Sequence, residues 1–256
     1  MTADLPAVLV TGGAKRLGAA ITRRFAEAGW HVVIHYRTSS DAAERLAAEL
    51  PSAELYQCDL ADEDAAIAMV ETLASRLGNW QALINCAAIF DPDDVTGLDP
   101  VTNKRAMQIN ARTPTRMAQT YLAKAKAVGG RRVIHFTDQK LANPNPDFFS
   151  YTMSKHALAS TVEMLAMGAA KADDRVYALA PGAILASHDQ SEEETEVSHR
   201  LNLLGRKTGP DEIAEAALFL AQGHLASGQT LFVDSGQHLL DQPRDVIYLA
   251  REGETA

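Results

Sequence analysis

Short β-branched runs alternate with alanine-rich helical patterns along almost the whole chain, and this alternation limits what it can fold into more than any other feature. Ala7 to Thr11 precedes Leu17 to Ala28, His31 to Tyr36 precedes Asp41 to Leu50, and Leu55 to Gln57 precedes Asp62 to Leu77. The pattern continues through Ala82 to Asn85, a long helical stretch around Pro100 to Val128, and Val133 to Phe136. It ends with a helix from about Tyr151 to Lys171, Val176 to Ala180, a helix near Asp211 to Ala221 and a last strand at Thr230 to Val233. Such alternation is the mark of βαβ units, whose crossovers require a parallel sheet with helices on both faces. No linker rich in Gly, Ser or Pro interrupts it, so the expectation is one doubly wound α/β domain of about seven strands over residues 1–240, followed by a tail at 241–256.

Charge and hydropathy exclude several classes of partner. Lys plus Arg number 24 against 33 Asp plus Glu, a formal charge of −9, which disfavours a broad embrace of nucleic acid or an anionic membrane, so that any phosphate binding is local. No run of about 18 apolar residues and no basic leader is present, and the expected address is cytoplasmic. Cys58 and Cys86 have no partner spacing and read as packing thiols. His188, His199 and His238 lack metal-ligand spacing and read as surface or loop residues, Tyr177 as core, and no metal is expected.

Two segments break the rhythm. Leu141 to Ser150 contains Asn143-Pro144-Asn145-Pro146, which forbids a regular helix and implies an ordered loop after a strand. Gly182 to Gly205 carries the acidic run Glu192-Glu193-Glu194. Two readings of it stand: a mobile lid over a substrate site, or a loop with a solvated helix face. Both segments follow strands, and in open α/β sheets ligands bind outside the carboxyl ends of the strands.

The first strand runs into Thr11-Gly12-Gly13-Ala14-Lys15-Arg16-Leu17-Gly18 and then a helix. Small residues let such a turn approach a pyrophosphate, whose charge is met by the free N–H groups at the helix start. Thr11-Gly12-x-x-x-x-x-Gly18 resembles the T-G-x-x-x-G-x-G pattern of the short-chain dehydrogenase/reductases, with Arg16 in place of the middle glycine. The resemblance extends over nearly the full length. Asp59-Leu60 matches the adenine-side D-L, Asn85-Cys86-Ala87-Ala88 is a weakened N-N-A-G, Asn110 lies in the central helix, Tyr151-x-x-x-Lys155 matches the catalytic pair and Pro181-Gly182 matches the motif after the sixth strand. The usual V-D-G-G becomes Val233-Asp234-Ser235-Gly236. Ala14-Lys15-Arg16-Leu17-Gly18 looks like the pteridine reductase branch, in which this arginine meets both the cofactor phosphates and the substrate.

The resemblance implies a single-domain Rossmann fold, a dinucleotide cofactor and a homotetramer built through Met107 to Val128 and Tyr151 to Lys171. The second strand ends in His35-Tyr36-Arg37-Thr38-Ser39-Ser40 with no acid before Asp41, which favours NADPH, since a carboxylate there would accept from a ribose 2′-OH and repel a 2′-phosphate. The implied cofactor contacts are Gly12, Lys15, Arg16, Leu17, Gly18, Tyr36, Arg37, Thr38, Ser39, Asp59, Leu60, Asn85, Ala87, Tyr151, Lys155, Pro181 and Gly182.

Tyr151 and Lys155, four apart on a helix, share one face, and an ammonium there is expected to lower the phenol's pKa so that it donates a proton near neutral pH. By resemblance Asn110 extends the proton relay through water and Lys155 binds the nicotinamide ribose. Ordinary family members place a serine about a dozen residues before the tyrosine; here the stretch reads His135-Phe136-Thr137-Asp138-Gln139, and Asp138 falls thirteen residues before Tyr151. A carboxylate repels the alkoxide of ketone reduction but accepts N–H bonds from an amino-pterin, which points to C=N reduction. The alternative is Thr137 in the serine role with Asp138 capping the loop. Phe90 stands where pteridine reductases stack a phenylalanine on the flat ring. Together these imply an NADPH-dependent reductase of a pterin, namely dihydrobiopterin, dihydromonapterin or dihydrofolate, with Asp138, Tyr151, Lys155 and Asn110 catalytic and Arg16, Phe90, Asp138 and Tyr151 against the substrate. The rivals are a carbonyl reductase, for instance of 3-oxoacyl thioesters, and a dinucleotide-binding sensor without turnover. The segment from Leu239 to Ala256 either reaches a neighbouring subunit or frays.

Overall fold

A computed structural model describes residues 5–187 and 190–253. Seven strands form one parallel sheet: β1 (Ala7–Val10), β2 (His31–Tyr36), β3 (Ala53–Gln57), β4 (Trp80–Asn85), β5 (Arg132–Phe136), β6 (Arg175–Pro181) and β7 (Thr230–Val233). Their order is β3-β2-β1-β4-β5-β6-β7, so the winding reverses between β1 and β4, the switch point at which such sheets bind ligands. Successive strand residues feed opposite faces. Val8, Val10, Val32, Ile34, Ala82 and Ile84 pack beneath α1 (Arg16–Glu27), α2 (Ser40–Ala48) and α8 (Pro210–Ala221). On the other face Leu9, Val33 and Leu83 meet α3 (Glu63–Arg76), α5 (Thr113–Lys124) and α6 (Phe149–Gly168). Burial on both sides explains why these strands read as continuous apolar runs.

The expected helix over Pro100 to Val128 is not one regular helix. It comprises α4 (Pro100–Ala106), a π-helical stretch at Met107–Arg112 and α5. Elements of this kind accompany functional sites, and this one carries Asn110.

The starts of β5 and β6 are locked together by Arg131 and Asp174, both buried: the guanidinium Nη2 lies 2.6 Å from Oδ2, and the backbone N–H groups of Arg131 and Lys171 also donate to the carboxylate. Burial alone would raise the Asp174 pKa, but these bonds hold it below its ordinary value. Its stabilisation is therefore fully present above a pH of about 4 and is lost as pH falls toward the depressed native value. Asp174→Ala strands the guanidinium and is expected to cost about 3–5 kcal/mol in a denaturant titration at pH 7.

The 182–205 segment contains a short helix, α7 (Glu192–Ser198), whose Ser191 and Glu194 form a reciprocal capping box. His188 lies outside the described residues. The C-terminal stretch forms α9 (Val246–Gly253), which buries Val246, Ile247 and Ala250 against its own chain. Among the described residues no helix is long and apolar enough to cross a membrane.

Candidate active site

The switch point is built by side chains that tie strand ends together. Thr11 Oγ1 accepts from the N–H groups of Cys86 (2.9 Å) and Ala87 (3.0 Å), joining the end of β1 to that of β4. Gly12, at φ +66°, donates its N–H to His35 Nδ1 (3.0 Å), and the other ring nitrogen of His35 lies 3.1 Å from the Cys58 carbonyl. Burial pushes His35 down to about 4, so the ring is neutral at pH 7 and can accept at one nitrogen while donating at the other. A side chain at Gly18 would collide with the Gly12 carbonyl. The start of α1 has no side-chain cap and no acid in its first turn, which leaves the positive end of its dipole open to an anion.

Two departures from the family pattern, Arg16 and Ser235, keep a backbone that favours glycine. Arg16 sits at φ +53° and Ser235 at φ +53°, left-handed conformations that cost a non-glycine residue roughly 1–2 kcal/mol. Arg16 Nη2 donates to the carbonyls of Leu185 (3.3 Å) and Ala186 (2.7 Å), clasping the 182–205 segment to the phosphate loop.

A cavity of about 450 Å³ opens above the strand ends. It gathers Gly12, Lys15, Arg16, Leu17, Gly18, Ala87, Phe90, Asp138, Tyr151, Lys155, Pro181 and Gly182 of the anticipated residues. The others lie outside its walls. Tyr36, Arg37, Thr38 and Ser39 occupy the end of β2 and the turn beyond it, and Asp59 and Leu60 follow β3. Asn85 is buried beneath, donating to the Pro114 carbonyl and within 3.2 Å of His135.

At the cavity floor the Tyr151 hydroxyl donates to Asp138 Oδ2 at 2.7 Å. Asp138 Oδ1 accepts from the Lys140 N–H (2.8 Å), so the carboxylate caps the turn and engages the phenol at once, uniting two roles that the sequence presents as alternatives. Thr137 also faces the cavity, but its hydroxyl points at the Leu179 carbonyl (3.4 Å). Burial raises the Asp138 carboxyl; it also raises the Tyr151 phenol, which the adjacent charge of Asp138 lifts further.

The net shift of the phenol is upward, because burial and Asp138 outweigh the lowering expected from Lys155. The ammonium is spent on the Phe136 carbonyl at 2.6 Å and lies 5.6 Å from the Tyr151 ring centroid. Burial pushes Lys155 itself down to about 8. A step that needs this positive charge weakens as pH rises through that value, so turnover is expected to show an alkaline limb near pH 8. A rate flat to pH 10 would remove Lys155 from the chemistry.

The Asn110 side chain ties three segments together. Its amide accepts from the Ile89 N–H (2.9 Å) and donates to the Ile89 carbonyl (2.9 Å) and Ser154 Oγ (3.0 Å). These bonds anchor the β4 loop to the π-helical stretch and to α6.

Several site residues escaped the sequence reading. Phe148 adopts φ +52° at the start of α6, stacks on Phe90 with ring centroids 3.9 Å apart and packs on Tyr248 at 5.9 Å. Phe90 in turn meets Tyr151 edge-on at 4.7 Å, so one face of the anticipated stacking ring is already covered. Asp93 accepts from the Ser150 N–H at the start of α6. Asp245, Val246 and Ile247 line the cavity. His199 is buried and lines it too, not a surface residue, and Cys86, also on the wall, has a thiol that burial pushes up to about 12. His238 pairs with Asp234 (2.7 Å) and stacks on Phe232. Tyr177 is fully buried, its hydroxyl donating to the Leu225 carbonyl.

A doubly wound sheet with a glycine-rich turn at its switch point and a Tyr-Lys pair on the helix after β5 defines a dinucleotide-linked oxidoreductase. The family model described as enoyl-(acyl carrier protein) reductase matches residues 12–238, and the chain belongs to the short-chain dehydrogenase/reductase family. Within it, the FolM alternative dihydrofolate reductase 1 of Brucella canis, solved in complex with NADP, superposes with a TM-score of 0.87 at 32% identity, over 96% of this chain and 98% of that one. The dihydromonapterin reductase of Citrobacter koseri is 27% identical over 235 residues, 91% of this chain and 96% of the relative. A putative ketoacyl reductase of granaticin polyketide synthesis from Streptomyces violaceoruber is 28% identical over 247 residues, 93% of this chain and 98% of the relative.

Proposed function

We propose that this oxidoreductase reduces a C=N bond of a pterin, with NADPH as its reductant. The observation that carries the reading is the Tyr151–Asp138 hydrogen bond on the wall of a cavity lined by Phe90, Phe136 and Tyr151. A carboxylate beside the proton donor suits a substrate that presents N–H groups and a basic ring nitrogen; it opposes one that develops an alkoxide. The structural neighbour bound to NADP and the dihydromonapterin reductase relative support the same assignment.

The residues fit the cofactor. Gly12 and Gly18 keep side chains away from the turn, and with Lys15, Arg16 and Leu17 at the uncapped start of α1 they would hold the pyrophosphate. Tyr36, Arg37, Thr38, Ser39, Asp59 and Leu60 would hold the adenosine end, with the charge of Arg37 and the hydroxyls of Thr38 and Ser39 suited to a 2′-phosphate. Ala87, Pro181, Gly182, Tyr151 and Lys155 surround the nicotinamide end, with Asn85 beneath. The dinucleotide, when bound, supplies the hydride.

The chain supplies the proton and the orientation. Asp138 accepts N–H bonds from the substrate's amino-pyrimidine edge, and Tyr151 gives its proton to the ring nitrogen that becomes basic on reduction. Lys155, held by the Phe136 carbonyl, presents positive charge to the phenolate left behind. Phe90 packs its uncovered face on the ring, and Arg16 steadies both the phosphate loop and the 182–205 segment. Asn110 positions the Ile89 loop that carries Phe90.

The reading tolerates a homotetramer built on α6, where Met164 and Met167 are exposed; light scattering of the purified protein tests it. The function itself is tested by label transfer. With NADPH deuterated at C4 of the nicotinamide and dihydromonapterin as substrate, deuterium is expected on a carbon of the pterin ring. Label appearing only in the alcohol product of a 3-oxoacyl thioester would establish the carbonyl reductase instead, with Thr137 in the serine role.

A further inference from the structure

We infer that the C-terminal segment 244–253 is the specificity wall of the substrate pocket, and that Ile247 limits how far a substrate extends beyond its reacting ring; this rests on the pterin reading. Ile247 is buried in one cluster with Phe148 and Tyr151, against which Phe90 and Tyr248 pack. It therefore packs in the same cluster as Tyr151, and with Asp245 and Val246 it lines the cavity.

The segment is bolted to both loops that flank the site. The Arg244 guanidinium Nε lies 2.9 and 3.1 Å from the two carboxylate oxygens of Asp147, which also accepts the Asp245 N–H at 2.8 Å. Buried Lys140 donates to the Asp147 carbonyl (2.6 Å) and reaches Asp245 Oδ2 (3.4 Å). On the other side Arg251 Nε meets Glu194 Oε1 of α7 at 2.6 Å. Arg244 also lies over the Tyr248 ring, 4.8 Å from its centroid. Ion pairs between partly buried groups in such a network hold a short terminal helix that its own length could not stabilise.

Two physical consequences follow for substrates. The cavity of about 450 Å³ would take the nicotinamide end of the cofactor as well as the substrate ring, so a long substituent has to leave it past its wall, of which Val246 and Ile247 are part. The cations of this wall, Lys140, Arg244 and Arg251, each already face a carboxylate of the chain, respectively Asp245, Asp147 and Glu194. An extended substrate ending in carboxylates thus meets an apolar stop at Ile247 and gains no new counterion there. Compact pterins with a short hydroxylated side chain are the favoured class.

The test is calorimetric binding, in the presence of NADP+, of 6-hydroxymethylpterin as the compact probe and folate as the extended one. The wild-type protein is expected to bind the compact probe at least about tenfold more tightly, about 1.4 kcal/mol. Ile247→Ala, and separately Arg244→Gln, which keeps the isoleucine but loosens the bolt, are expected to shrink that ratio to below threefold. Equal binding of both probes by the wild type, or an unchanged ratio in both variants, overturns the inference. Failure of the pterin reading is distinguishable: the ratio then behaves as stated while no pterin is turned over. Binding of neither probe overturns both.

Discussion

Tyr151→Phe is expected to lower turnover by about 10²–10⁴-fold, the contribution of a positioned general acid, equivalent to roughly 3–5.5 kcal/mol of barrier. The fold should survive, because the ring keeps its edge-on contact with Phe90 and its place beside Ile247 and Phe148. Loss of the hydroxyl frees Asp138 from its 2.7 Å partner, leaving a buried carboxylate whose pKa burial already raises. Cofactor binding, followed by fluorescence of NADPH, should change little, so the loss belongs to kcat. A Tyr151→Phe protein that retained half its turnover would take the phenol out of the reaction.

The second large effect is one of selectivity. Asp138→Ser removes the acceptor for substrate N–H groups and restores the neutral hydroxyl that ordinary family members carry near this position. Pterin reduction should fall by about 10²–10³-fold, the scale of losing one preorganised polar contact in a water-excluded site. Reduction of a 3-oxoacyl thioester should hold or rise, since no carboxylate then opposes the developing alkoxide. Asp138→Asn controls for shape: it can still meet the Lys140 N–H through its carbonyl, so a loss in Asn and Ser alike assigns the effect to charge. If Asp138→Ser reduced pterins as well as the wild type, the carboxylate would be no more than the cap of its turn.

The parts of this account legible in the sequence are those encoded locally. Val8 and Val10 alternate with Ala7 and Leu9 because β1 is covered on both faces, and the order of such runs with their helices dictates the doubly wound sheet. Gly12 and Gly18 are visible because a close turn excludes side chains, and Tyr151 and Lys155 because one helical turn separates them. Asp138, thirteen residues before Tyr151, accepts from its hydroxyl at 2.7 Å.

What escaped depends on contacts between distant segments. Arg244 and Asp147 are 97 residues apart, and nothing near either announces the other, although Val246, Ile247 and Ala250 have the spacing of an apolar helix face. The left-handed Phe148 has no glycine or asparagine to advertise it; its conformation is held by stacking on Phe90 and Tyr248. His35 reads as a strand residue, and only its bonds to Gly12 and Cys58 reveal that it shapes the phosphate loop. Helical spacing puts Lys155 on the same face as Tyr151 but says nothing of the Phe136 carbonyl that captures the ammonium.

The central claim, reduction of pterins with NADPH, is tested most directly by NADPH oxidation at 340 nm with dihydrobiopterin, dihydromonapterin, dihydrofolate and acetoacetyl thioester offered side by side, and NADH as the control reductant. Turnover of pterins but not of the thioester, with NADPH well ahead of NADH, is the predicted result. Turnover of the thioester alone, or equal rates with NADH, would contradict it.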